Sequence, residues 1–123
     1  MTMKKLCSVL LVCVVLAMVF VTAALAETTV GSGSKNIYGL GTLTITASQA
    51  PRYIYVTIFN CSGASYGIIT VKKPNGTSYS NFLEFDGNVS NKKVRVYNTV
   101  SGDYDFNVAY TGGSCTISVT MTR

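Results

Sequence analysis

The chain has 123 residues, no histidine, no tryptophan, eight tyrosines, four cysteines and a formal net charge of +5. Without histidine, Ser-His-Asp and Cys-His nucleophile systems are excluded, and histidine-ligated metals with them. No phosphate-cradling glycine pattern lies between a strand and a helix, so nucleotide chemistry has no support either.

The first 26 residues place Lys4 and Lys5 before an apolar run from Leu6 to Val21 and end on Ala24-Leu25-Ala26. That order is the one of a secretory signal peptide with a small-residue cleavage site. The rival reading is a retained transmembrane anchor, because the run approaches the roughly 20 residues that span a bilayer. The Ala-Leu-Ala ending favours cleavage, and Glu27 stands where a lipoprotein would need cysteine. Cleavage leaves residues 27–123 as one secreted domain, extracellular or periplasmic, with no stable membrane insertion and a modest core. Eight basic residues then stand against five acids, a net charge of +3. Cys61 and Cys115 remain, and in an oxidising compartment they are expected to form a disulfide; two free thiols are the alternative. The bond would close a loop of about 55 residues and add on the order of 4 kcal/mol in the chain-entropy model. Two cysteines without histidine cannot make a closed zinc site.

Residues 27–41, ETTVGSGSKNIYGLG, read as a flexible arm or a first edge strand. From there nearly every segment has period two and ends at Gly, Asn, Ser or Asp, and none carries a helical apolar stripe. Residues 42–48 alternate threonine outward with Leu43, Ile45 and Ala47 inward. Residues 52–60 follow Pro51; residues 66–73 run to Asn75-Gly76, a hairpin signal. Short pieces at 78–80 and 82–86 precede a polar turn, and strands at 93–100, 103–111 and 114–122 close the chain, the last two joined by Gly112-Gly113. Seven to eight strands at such spacings predict an all-β, antiparallel β-sandwich over residues 42–123.

The segment SGDYDFNV (101–108) resembles the corner of immunoglobulin-like sandwiches, where a Gly-x-Tyr stretch opens a late strand. Residues 93–122 are similar as well to the terminal strands of bacterial pre-peptidase C-terminal domains and other exported sandwich modules. The resemblance implies a sandwich in which the Tyr104 hydroxyl ties back to the backbone. Phe106 occupies the place where immunoglobulin domains have cysteine.

Three sets of residues are candidates for a site. Glu84 with Asp86 and Asp103 with Asp105 are carboxylates two apart, each pair able to share a strand face about 6.5–7 Å apart. No apolar pocket raises one of their pKa values, so catalysis is not expected. Calcium is the one cofactor these acids, with Asn88, Asn91 and Asn107 nearby, bring into view. The competing role is solvation: if Tyr104, Phe106, Val108 and Tyr110 face the core, Asp103, Asp105 and Asn107 face water. A second set is Lys72, Lys73, Lys92, Lys93 and Arg95, which would serve an anionic polymer or, structurally, protect sheet edges. The small net charge and the missing aromatic-interleaved basic motif argue against nucleic acid.

The third set lies in RYIYVTIFN, where Ile54, Val56 and Ile58 share one face and Tyr53, Tyr55 and Phe59 the other. Such a strand is either covered on both faces, or presents its aromatic row to a sugar or a protein, or switches faces at a bulge. Asn60, Asn75 and Asn88 head glycosylation triplets; with a bacterial-type signal they read as turn asparagines. Together these features predict a secreted, non-enzymatic binding protein for a glycan or protein partner at the cell surface. Its rivals are a self-assembling surface subunit, as a homo-oligomer, and a small secreted effector such as an inhibitor or toxin.

Overall fold

Alternating apolar and polar residues decide the architecture. The computed structural model describes residues 26–62 and 66–123, and the signal-peptide reading, with Cys7 and Cys13, lies outside them apart from Ala26. Six strands follow in chain order: β1 Thr29–Ala47, β2 Tyr53–Phe59, β3 Tyr66–Lys72, β4 Ser78–Asp86, β5 Val89–Arg95 and β6 Gly102–Thr122. All their pairings are antiparallel, in the order β4-β3-β6-β2-β5 with β1 alongside β6. Among the described residues no helix is long and apolar enough to cross a membrane.

The described chain is therefore all-β, with six strands in one curled sheet where a sandwich of seven or eight was expected. The pieces expected at 78–80 and 82–86 are one strand, β4, those expected at 103–111 and 114–122 are one strand, β6, and the strand expected at 93–100 lies instead at Val89–Arg95, beginning within the expected polar turn. Residues 27–41 are no loose arm, because β1 takes in Thr29 and runs on through the strand expected at 42–48. Gly112-Gly113 does not reverse the chain; β6 passes through it, and Gly113 has a φ of +103°, a conformation that L side chains rarely adopt. The inward set changes there from Tyr104, Phe106, Val108 and Tyr110 to Cys115, Ile117, Val119 and Met121, all buried. Even positions thus give way to odd ones without a turn.

Each half of β6 has its own neighbours. Its first half lies between the end of β1 and β3, its second between the start of β1 and β2. The β1–β6 ribbon folds over, so the ends of one curled sheet face each other. Gly31 and Gly33 make that approach close: a Cβ on Gly31 would lie 2.8 Å from the Thr46 carbonyl oxygen, and one on Gly33 3.2 Å from Ile45. The space between is filled by one cluster that includes Ile54, Val56, Ile58, Ile69, Val71, Phe106 and Ile117. Each such side chain stabilises the fold by about 1.5–3 kcal/mol relative to exposure.

Local contacts fix the corners. Tyr104 donates its hydroxyl to the Val100 carbonyl at 2.6 Å and accepts from the Val100 amide at 3.2 Å. The tie-back expected of this tyrosine is present. In the β3–β4 hairpin the Gly76 amide donates to Lys73 O, Gly76 has a φ of +88°, and Asn75 Oδ1 accepts from both the amide and the hydroxyl of Thr77. Of the other triplet asparagines, Asn60 has a φ of +53° and Asn88 Oδ1 accepts from the Cys61 amide, so all three serve the turns.

The expected Cys61–Cys115 bond is not formed; both residues are free thiols, Cys115 buried and Cys61 half-buried. They are nonetheless neighbours. Burial first, then the charge of Cys61 and a hydrogen bond with it, push the Cys115 thiol up to about 11. The thiolate is the reactive form, and the core withholds it from Cys115.

Candidate functional site

Strand pairing brings the aromatic set and part of the basic set onto one surface. Along β2, Ile54, Val56 and Ile58 are buried, while Tyr53 and Tyr55 are half-exposed and Phe59 is 39% exposed on the opposite face. The strand keeps its alternation from end to end. The irregularity sits in its partner instead, where β5 carries an extra residue opposite Val56–Ile58 and Asn91, at a φ of +46°, donates its amide to Thr57 Oγ1. So the aromatic row faces outward.

What lies over the row is cationic. Across the β2–β5 ladder Tyr55 pairs with Lys93 and Tyr53 with Arg95. The Lys93 ammonium stands 4.1 Å from the Tyr53 ring centroid and 5.5 Å from that of Tyr55. The Arg95 guanidinium lies 5.1 Å from Tyr53 and 5.0 Å from Tyr97, whose ring is 65% exposed. Each contact at an exposed site contributes about 0.5–1 kcal/mol. Glu27 completes the group: Tyr55 donates its hydroxyl to Oε2 at 2.5 Å, and Lys93 Nζ is 3.2 Å from Oε1. The Tyr55 hydrogen bond, followed by Lys93, holds the Glu27 carboxyl below its ordinary range. Lys93 is raised in turn, by Tyr55 first and Glu27 next. Beyond the cations the surface is polar, with Thr120, Ser118 and Thr116 of β6 opposite Tyr55, Thr57 and Phe59.

The remaining basic residues go elsewhere. Lys92 pairs with Val56 and does not join the row. Lys73 is buried, its ammonium 4.4 Å from the Tyr79 ring centroid. Lys72 lies on the other half of the sheet, opposite Asp105. The five-residue basic patch thus breaks up: Lys93 and Arg95 share a face, Lys92 does not join them because neighbours in sequence on a strand point to opposite faces, and Lys72 and Lys73 line a separate hollow with Asp103 and Asp105.

The acids do not converge either. Asp103 and Asp105 are on β6, Glu84 and Asp86 on β4, and β3 runs between those strands. Among the described residues no three His, Cys, Asp or Glu side chains form a group able to hold a metal ion. Asp103 and Asp105 have another occupation: they accept the hydroxyls of Thr46 at 2.6 Å and Thr44 at 2.7 Å, and Thr42 donates to Asn107 at 2.7 Å. Glu84 stands beside the Tyr66 phenol, which desolvation raises first and Glu84 raises further.

Glu27 and Tyr97 escaped the sequence reading. Tyr97 carried a signal, since Lys93, Arg95 and Tyr97 alternate with Val94 and Val96. Glu27 carried none, because it reaches Tyr55 only through the pairing of β1 and β2 with β6.

No family model and no curated protein matches the chain. Among solved structures it is similar to the C-terminal domain of a structural protein from Sulfolobus turreted icosahedral virus. That likeness has 21% identity and a TM-score of 0.47 over 76% of this chain and 98% of that one. It is similar also to PliG of Aeromonas hydrophila, a periplasmic lysozyme inhibitor of g-type lysozyme, with 18% identity and a TM-score of 0.44 over 78% of this chain and 84% of that one. At these scores neither likeness bears on function.

Proposed function

We propose that the chain is an exported, non-enzymatic binding module that recognises a surface glycan through the face built on β2 and β5. The observation that carries this reading is the outward row of Tyr53, Tyr55 and Phe59 on a strand whose other face is buried. Tyrosine rings offer sugars an apolar face and a polar edge, and they hold that face at low entropic cost because the strand is rigid. Export rests on the charged, apolar and small-residue order of residues 1–26. A glycan array probed with folded protein tests the reading. Binding lost in Tyr53→Ala and in Tyr55→Ala, with the thermal transition kept, is the expected result; a folded protein that binds no glycan overturns it.

A second reading, self-assembly, draws on a different place. Tyr38 and Leu40, 74% and 81% exposed, flank Gly39 at the fold of β1. Two such residues side by side suit contact with another copy. Light scattering decides it: oligomers abolished by Leu40→Ser support assembly, and a strict monomer at high concentration refutes it.

A further inference from the structure

Glu27 is bound as a ligand would be. Each of its carboxylate oxygens has a separate donor, the Tyr55 hydroxyl for one and the Lys93 ammonium for the other. Its backbone neighbour Thr28 is pinned by paired bonds with Arg123, at 2.9 Å in both directions, while the Glu27 side chain, 30% exposed, is held by those two contacts alone among the interactions described. If they break, Lys93 and Arg95 stand over Tyr53 and Tyr55 with no counter-charge among the contacts described, leaving two positive charges beside two aromatic faces.

From this arrangement we propose that Tyr55 and Lys93 form a carboxylate seat, filled intramolecularly by Glu27, and that the natural occupant is the carboxylate of an acidic saccharide. The proposal rests on the glycan-binding reading and narrows it to one ligand class. Charge complementarity selects an anion, and the adjoining rings select one carried on a sugar: a pyranose stacked on Tyr55, whose ring lies farther from Lys93 than that of Tyr53, brings a ring carboxylate to Lys93. Arg95, set between Tyr53 and Tyr97, extends the cationic edge to a second acidic unit. Glu27 competes with the ligand and so weakens its binding. An ion pair at the surface is weak, so removing Glu27 frees the seat by about two- to fivefold in affinity.

The test uses a panel of uronic-acid and sialic-acid oligosaccharides, each paired with its carboxyl-reduced form, with polyglutamate as a charge control. Acidic members are expected to bind, their reduced forms at least about tenfold less tightly, and polyglutamate weakly. Glu27→Ala is expected to tighten acidic-glycan binding about two- to fivefold, and Lys93→Ala to weaken it to the level of the carboxyl-reduced forms. Equal binding of acidic and reduced forms, with no effect of Glu27→Ala, overturns the seat and leaves the glycan reading standing. Binding of polyglutamate as tight as that of the saccharides overturns the sugar requirement. Failure to bind any saccharide, acidic or neutral, removes both. Because Glu27→Ala is a gain of binding, loss of fold cannot imitate it.

Discussion

The rings of Phe85 and Tyr110 stack nearly parallel, 13° apart with centroids at 5.7 Å. Gly67 lies between them in the ladder, paired with Phe85 on one side and Tyr110 on the other. A Cβ on Gly67 would stand 2.0 Å from the Phe85 ring. The glycine is the floor on which the stack rests, and the aromatic cover compensates for its missing side chain. Gly67→Ala is therefore expected to destabilise the protein by about 1–3 kcal/mol. Thermal unfolding measures it, and in a Phe85→Leu background the same change should cost clearly less. Equal costs in the two backgrounds would show that the ring is not the obstacle.

The Tyr104 hydroxyl serves both backbone groups of Val100 from within the core. Tyr104→Phe keeps the ring but leaves the Val100 carbonyl and amide without that partner. A loss of about 1–3 kcal/mol is expected, read as a lower denaturant midpoint at unchanged m-value. An unaltered midpoint would mean that water replaces the hydroxyl at no cost.

Cys115 gives the reduced protein a pH dependence. Its folded pKa of about 11 lies above the ordinary 9.0, so the folded state keeps a proton that the unfolded state releases first. The contribution is fully present below pH 9, falls as the pH rises between 9 and 11, and is lost above the folded value. In the presence of reductant, stability should drop over that interval by up to about 3 kcal/mol, and Cys115→Ala should flatten the drop. Alkylation at neutral pH should reach the half-buried Cys61 well before Cys115. Equal labelling rates would contradict the burial of the Cys115 thiol.

Asp103 and Asp105 are expected to behave as hydrogen-bond acceptors for threonine. Asn at either position retains an oxygen for Thr46 or Thr44, so the double variant Asp103→Asn, Asp105→Asn should stay within about 0.5 kcal/mol of the parent. Glycan binding at the β2–β5 face should be unchanged. Millimolar calcium should leave the melting temperature where it was. A calcium-induced rise that the double variant abolishes would restore the metal reading.

Alternation made much of this molecule legible. The inward set of Leu43, Ile45, Ala47, Ile54, Val56, Ile58, Tyr104, Phe106, Val108 and Tyr110 is read directly from period two, and all ten are buried. Asn75-Gly76 announced its hairpin because few residues adopt the backbone conformation it needs. The strand count was hidden, because two glycines in succession promise a reversal and Gly112-Gly113 delivers a change of face. The site was half legible for a related reason. Period two separates the faces of one strand, but it does not say which strand lies beside it, and only the β2–β5 ladder carries Lys93 and Arg95 to the tyrosines.

Strand β6 comes last in chain order, yet it is the one bonded to β1, β2 and β3 together. A polypeptide emerging from its amino end holds five strands and lacks the element to which three of them attach. Pairs such as Thr29 with Thr122 join distant parts of the sequence, and long-range pairing of this kind folds slowly. For a chain exported as proposed, that order is useful: until the final 21-residue strand arrives, the nascent protein has little reason to close and can be threaded unfolded through a channel. Closure of the sheet in such a chain waits for β6 to follow β1, β2 and β3 across.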